Sequence, residues 1–238
     1  MERFTAPWIL PIAEKSLKNG SVVIDEGRII AVGKADTLAR QFPSAQEHLF
    51  PGILMPPLVN AHHHLELSQF KVEENVNNCS GMVDWIKSLL DRRGRDISTL
   101  EKASAIQQEI ASQYDDGVVL LADIGNEDNI CPKSMQTPLL QIYSMLEMLA
   151  PSKKVLSQTL DRLNSLATDV RATGHGPCST PPELLKKLKS RCREYGHIFS
   201  LHTAESLDEI MFVGSGKGPY AELIQSRGGN LYMFLCGQ

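Results

Sequence analysis

The chain has 238 residues, 42% hydrophobic, 22% charged and 6% aromatic, with a formal net charge of −4. That length suits one large domain or one and a half with a real core, and the composition is that of an ordinary soluble globular protein. The acidic balance offers no electrostatic footprint for nucleic acid or anionic membrane, and no apolar run approaches membrane-spanning length.

The N-terminus, Met1-Glu-Arg-Phe-Thr-Ala-Pro-Trp8, lacks the basic-then-apolar pattern of a leader. The five cysteines (Cys79, Cys131, Cys178, Cys192, Cys236) are odd in number and form no Cys-x-x-Cys pair. Together these features predict reduced thiols and a cytoplasmic location.

Residues 1–52 read as β structure. Two β-branched runs in Gly20–Gly33 flank Asp25-Glu26-Gly27, a hairpin signal, and 35–41 reads as a short helix stopped by Pro43. After Pro51-Gly52 the pattern changes. Apolar runs at 58–61, 118–123, 139–145, 169–174 and 197–201 alternate with amphipathic stretches at 82–91, 100–114, 154–166, 182–195 and 205–213. Strands alternating with helices predict about five βα units on a parallel sheet, in a second domain spanning 53–238. Leu160, Leu163 and Leu166, and Leu184 with Leu188, have the spacing of helices laid on that sheet. Thr180, ahead of Pro181 and Pro182, reads as the cap of the fourth helix, and the basic run from Lys186 to Arg193 as its solvated face.

The chemistry concentrates at two strand ends. His62 and His64 close the first apolar run at i and i+2, so a strand points both the same way and His63 the other. Neutral imidazole is the commonest metal ligand, yet His-x-His also arises by accident in a chain with seven histidines. The second end, His202-Thr-Ala-Glu205, follows the run Ile198–Leu201 and adds a third imidazole and a carboxylate. No Gly-x-Gly-x-x-Gly turn follows the first strand. A doubly wound nucleotide-binding sheet is therefore disfavoured against a TIM-type (β/α) barrel, whose strand ends converge on one mouth.

These motifs resemble one family. Gly27-Arg-Ile-Ile-Ala-Val-Gly33 followed by Met55-Pro-Pro-Leu-Val-Asn-Ala-His62-His-His64, then Gly174-His175-Gly-Pro-Cys178-Ser-Thr180, His202-Thr-Ala-Glu205 and Gly216-Lys-Gly-Pro219-Tyr220, is similar to the amidohydrolase superfamily. Within it, the order resembles the chlorohydrolase/cytosine-deaminase-like branch that holds aminodeoxyfutalosine and S-adenosylhomocysteine deaminases. The resemblance implies a metal-bearing barrel joined to a small β-sandwich, of which 1–52 is the N-terminal portion. It implies hydrolytic release of an amino group from a nitrogen heterocycle, with a purine nucleoside as the single guess for substrate. One divalent metal, zinc(II) or alternatively iron(II), would be held by His62, His64 and His202. Glu205 would shuttle protons, and His175 would contact substrate. Trp85 would do the same, because Trp85-Ile-Lys-Ser-Leu-Leu is similar to a substrate-covering helix of that branch.

Three departures stand out. Pro57 replaces a usual glycine, Cys178 replaces an aromatic residue, and the sixth-strand histidine and eighth-strand aspartate of the family have no counterpart after Glu205. The chain therefore also reads as a fragment, a truncated product or one part of an assembly. The alternative function is an inert relative, homo-oligomeric or paired with a partner chain, that binds metal without turnover. Dehalogenation or lactam opening by the same chemistry is a third reading. His63 reads as structural and facing the helices, His197 as solvent-facing, His48 as having no role, and Glu66, Asp123 and Glu147 as structural residues near strand ends.

Overall fold

The computed structural model describes residues 1–70, 81–93, 98–126 and 140–234. It divides into two compact units, Met1–Leu58 and Val59–Gln238. The division lies beyond residue 52 because a two-residue strand, Ile53–Leu54, pairs with the first sheet.

The first unit is one mixed sheet. Strands β1 (Glu2–Ile9), β2 (Leu17–Asp25), β3 (Arg28–Lys34) and β4 (Gln46–Leu49) run in the order β3-β2-β1-β4, with β5 (Ile53–Leu54) also on β1. Asp25 pairs with Arg28 across the expected hairpin, leaving Glu26 at φ 47° and Gly27 at φ 75° as its two turn residues. Two positive φ values in succession match the twist of the flanking strands, and glycine supplies one without strain. Helix α1 (Ala35–Gln41) follows as the sequence predicts. Ala6, Ile9 and Val22 form the buried centre, with Leu17, Ile24 and Leu54 packed on it.

The second unit holds the sheet β6 (Leu58–His63), β7 (Val118–Gly125), β8 (Gln141–Met148) and β9 (Ala172–Gly174), in the order β6-β7-β8-β9. The β7–β8 and β8–β9 pairs are parallel, with Gly125 beside Leu146 and Met148 beside Gly174. Spatial order following chain order is the winding of a barrel; a doubly wound sheet would reverse. Helices α2 (Met82–Arg93), α3 (Thr99–Asp115), α4 (Lys153–Ser165), α5 (Pro182–Tyr195), α6 (Leu207–Ser215) and α7 (Pro219–Ser226) complete it. Ile106 and Ile110 of α3 pack with Leu121 and Ile142. Leu163, Leu184 and Leu188 pack with Leu146, Met148 and Ala172, as their spacing predicts. Among the described residues no helix is long and apolar enough to cross a membrane.

Three local readings are corrected. The fifth apolar run does not enter the ladder. The Thr173 hydroxyl occupies its backbone partners, accepting from Ser200 N at 3.0 Å and donating to Ser200 O, and His202 N donates to His175 O at 2.8 Å. Thr180 is not the cap of α5. It is fully buried, accepts from His175 N at 3.1 Å and donates to Met148 O at 3.2 Å, while Pro181 takes the cap position. Arg191 leaves the solvated face. Its guanidinium donates to the carbonyls of Leu166, Ala167 and Val170 after α4 and stacks on Tyr195. The stretch Leu231–Met233 is a single 3-10 turn, and Cys79, Cys131 and Cys236 lie outside the described residues.

Candidate metal centre

His62 lies in the last turn of side-chain alternation on β6, and His64 is the residue just past the strand. His202 follows the extended segment beside β9. Their three Nε2 atoms form a triangle: 3.1 Å from His62 to His64, 3.2 Å from His64 to His202 and 2.9 Å from His202 to His62. Residues 138 and 140 positions apart in the chain thus meet at one point.

The proton positions follow from the outer nitrogens. His64 Nδ1–H donates to Ile124 O at 2.6 Å, and His202 Nδ1–H donates to His175 O at 2.9 Å. A carbonyl only accepts, so each ring carries a proton on Nδ1 and, in its neutral form, presents a bare lone pair at Nε2. Burial drives the His64 imidazolium down to about pKa 4, with the charge of His202 adding, and burial likewise lowers His62. Neutral rings are the ligating form.

Bare lone pairs converging at about 3 Å repel unless a cation lies among them. A tetrahedral ion with metal–nitrogen bonds of about 2.0–2.1 Å sets neighbouring donors about 3.3–3.4 Å apart, close to the triangle observed. The donor set, the tautomers and the spacing all fit a divalent transition metal. Three neutral imidazoles suit zinc and iron and poorly suit magnesium or calcium.

Around the triangle, an open recess of about 210 Å³ is lined by His62, Ile124, Ser200, His202, Thr203 and Glu205 among others. Glu205 precedes α6, and its backbone is clamped. Glu209, 5% exposed, accepts from Ala204 N at 3.0 Å and Glu205 N at 2.8 Å, with Ala204 held at φ 59°. Sequence reasoning missed Glu209. The signal was present as Ser206-x-x-Glu209, a capping-box pattern in which Ser206 Oγ accepts from Glu209 N at 3.2 Å.

His175 stands behind His202, ring centroids 5.1 Å apart. Its Nδ1 bonds Ser179 Oγ at 2.5 Å, and Ser179 in turn donates to Gly176 O, so His175 Nε2 is the free acceptor. Burial first, and His202 second, hold its pKa near 4. Trp85 lies on α2 with its side chain 39% exposed and is not one of the residues lining the recess. His63 turns away from the triangle, as the alternation predicts, with Nε2 3.4 Å from Glu109 of α3.

Buried carboxylates ring the histidines. Asp123 Oδ1 accepts from Leu65 N at 2.9 Å, fixing the turn after His64. Glu66 pairs with Arg93 and accepts from Asn126 N at 2.9 Å, and Asn126 Nδ2 donates to Glu147 Oε2 at 2.7 Å. Nothing in the sequence singles out Asn126.

The chain is similar to known proteins in sequence and in fold. The model of an imidazolonepropionase-like composite domain of bacteria matches residues 22–45, within the first unit. An adenosine deaminase of Helicobacter pylori is 26% identical over 219 residues, covering 88% of this chain and 52% of the relative. Among solved structures, an aminofutalosine deaminase of Helicobacter pylori in complex with methylthio-coformycin superposes with TM-score 0.75 and 24% identity, over 94% of this chain and 56% of that one. An atrazine chlorohydrolase of Arthrobacter aurescens complexed with zinc gives TM-score 0.67 and 18% identity, over 96% of this chain and 58% of that one. The chain spans about half the length of the curated relatives it matches. It is a homologue of these deaminases and shares the fold of the amidohydrolase α/β barrels.

Proposed function

We propose that the chain is a metal-dependent aminohydrolase that releases ammonia from a purine-nucleoside-like heterocycle, with His62, His64 and His202 holding one zinc(II) ion. The observation that carries this reading is the Nε2 triangle of 2.9–3.2 Å, with two of its tautomers fixed by backbone carbonyls. A divalent cation held there supplies Lewis acidity, lowering the pKa of water from 15.7 to about 7 and making it a nucleophile at neutral pH.

The chain's own residues do the rest. Glu205, on the wall of the recess, takes the proton of the attacking water on a carboxylate oxygen and returns it to the ring nitrogen of the substrate. Glu209 keeps the Glu205 backbone from swinging away. His175 offers Nε2 as an acceptor to a substrate hydroxyl or amine, and Trp85 covers the heterocycle from α2. Zinc is preferred to iron because a zinc-bound relative shares the fold. The two described cysteines, Cys178 and Cys192, are free thiols, which supports a cytoplasmic setting.

Metal analysis of the purified protein, paired with ammonia release from a panel of adenine and guanine nucleosides, tests the proposal. One zinc per chain and ammonia release, both lost in His202→Ala, are the expected results. Zinc uptake without ammonia release from any nucleoside favours the inert, metal-binding relative. A folded protein that takes up no metal overturns both.

A further inference from the structure

We propose that Glu209 is a positioning residue for proton transfer: its carboxylate aims Glu205 into the recess where an ordinary acid at its place would cap the helix; this rests on the role of Glu205 proposed above. Ser206 caps α6, so Glu209 is the third helical residue. In a capping box, an acid at that position returns to the N–H of the capping residue itself. Helix α3 is built that way: Ser98 N donates to Glu101 Oε2 at 3.0 Å, and Glu101 N donates to Ser98 Oγ at 3.3 Å. At α6 the second bond is present, from Glu209 N to Ser206 Oγ at 3.2 Å. The carboxylate, however, reaches past the cap. Its Oε1 accepts from Ala204 N at 3.0 Å and its Oε2 from Glu205 N at 2.8 Å.

The segment so held needs holding. Thr203, Ala204 and Glu205 are exposed, so packing does not fix them. Ala204 stands at φ 59°, a left-handed conformation that a side chain disfavours and keeps only where the surroundings impose it. Glu209, 5% exposed, imposes it from inside, each oxygen taking one of two successive N–H groups. At the other flank His202 N donates to His175 O at 2.8 Å, and a Cβ on Gly176 would lie 3.1 Å from His202 O. The run His202–Glu205 is thus pinned at both ends, with an imidazole of the triangle at one and the recess carboxylate at the other. A helix cap requires neither the strained alanine nor the two bonds before the cap. Fixing the direction of the Glu205 side chain requires both.

The experiment uses the zinc-loaded full chain and the purine nucleoside it deaminates fastest. Wild type is compared with Glu209→Gln, which keeps one acceptor and sets an amide donor against the other N–H, and with Ser206→Ala, which removes the cap and leaves both Glu209 bonds. Glu209→Gln should lower kcat about 100-fold, the order expected for a displaced reacting group, with KM and zinc affinity unchanged. Hydrogen exchange at the Ala204 and Glu205 amides should quicken in it. The double variant Glu205→Gln with Glu209→Gln should be no slower than Glu205→Gln alone, because a residue acting through Glu205 then has nothing to act on. Ser206→Ala should lower the thermal midpoint and leave kcat as it is. Equal losses of kcat in Ser206→Ala and Glu209→Gln would make Glu209 a plain helix cap and overturn the inference. So would a further loss in the double variant, or unchanged kcat or amide exchange in Glu209→Gln. Should Glu209→Gln not fold, Glu209→Asp, which withdraws the carboxylate by one methylene, is read in its place; failure of both to fold overturns the inference too. Zinc-loaded wild type that releases no ammonia overturns the role of Glu205 itself, so the two failures are told apart.

Discussion

Asp123 shows how one side chain trades stability for geometry. Its carboxylate, 5% exposed, holds Leu65 N and so fixes the chain immediately after His64. Burial raises its pKa from 3.8 to about 6; the Leu65 N–H opposes the shift and Glu66 adds to it. An acid with a raised folded pKa carries no penalty below its unfolded pKa, where both states are protonated. The penalty grows as pH rises from about 4 to about 6 and is then constant. Asp123→Asn keeps an oxygen for Leu65 N and removes the charge. Its stability by urea unfolding should equal that of wild type near pH 4 and exceed it by roughly 3 kcal/mol at pH 7. Parallel stability curves across that window would mean the carboxylate is already relieved by a neighbour. A structural role for Asp123 was legible from its place at a strand end. Its bond to Leu65 was not, because sequence does not tell which backbone donor a long-range turn leaves unpaired.

At the scale of elements, periodicity carried most of the information. The 3–4 spacing of Leu184 and Leu188 gave α5 its buried face; in the structure Pro182 opens the helix and Gly196, at φ 68°, closes it. Leu184 is fully buried among Leu146, Met148 and Ala172. Leu184→Ala should therefore destabilise the second unit by about 2–5 kcal/mol, measured as a lower denaturant midpoint at unchanged slope. A loss below about 1 kcal/mol would indicate that α5 does not pack on the sheet as described. The same reasoning misread the elements whose partners are side chains. The apolar run before His202 looks like a strand, yet Thr173 Oγ1 satisfies both the N–H and the carbonyl of Ser200 that a ladder would use. Thr180 looks like a cap, yet its hydroxyl is recruited by His175 and Met148 from other strand ends. Patterns of apolar residues report which face is buried. They do not report which hydroxyl replaces a backbone bond.

For the whole chain, the histidine triangle acts as a stitch. His62 and His64 are separated from His202 by 140 and 138 positions, so a shared cation closes a very long loop, as a distant cross-link would. That separation explains why His-x-His and His-x-x-Glu were each ambiguous alone. Their convergence depends on the strand order β6-β7-β8-β9 together with the extended segment that Thr173 holds beside β9. The linkage has a measurable consequence. A ligand that binds only the folded state stabilises by about 2.7 kcal/mol at a free concentration of 100 Kd. Zinc added to the metal-free protein should therefore raise the thermal midpoint progressively with its concentration. Hydrogen exchange should slow most where the stitch is anchored, at His64 and Leu65, at Ile124–Asn126 and at His202–Glu205, because these backbones hold the ligating rings or their turns. In His202→Ala the midpoint should no longer respond. Protection confined to other histidines such as His48, with none at these three segments, would show that zinc binds elsewhere and that the triangle is a packing arrangement without a ligand.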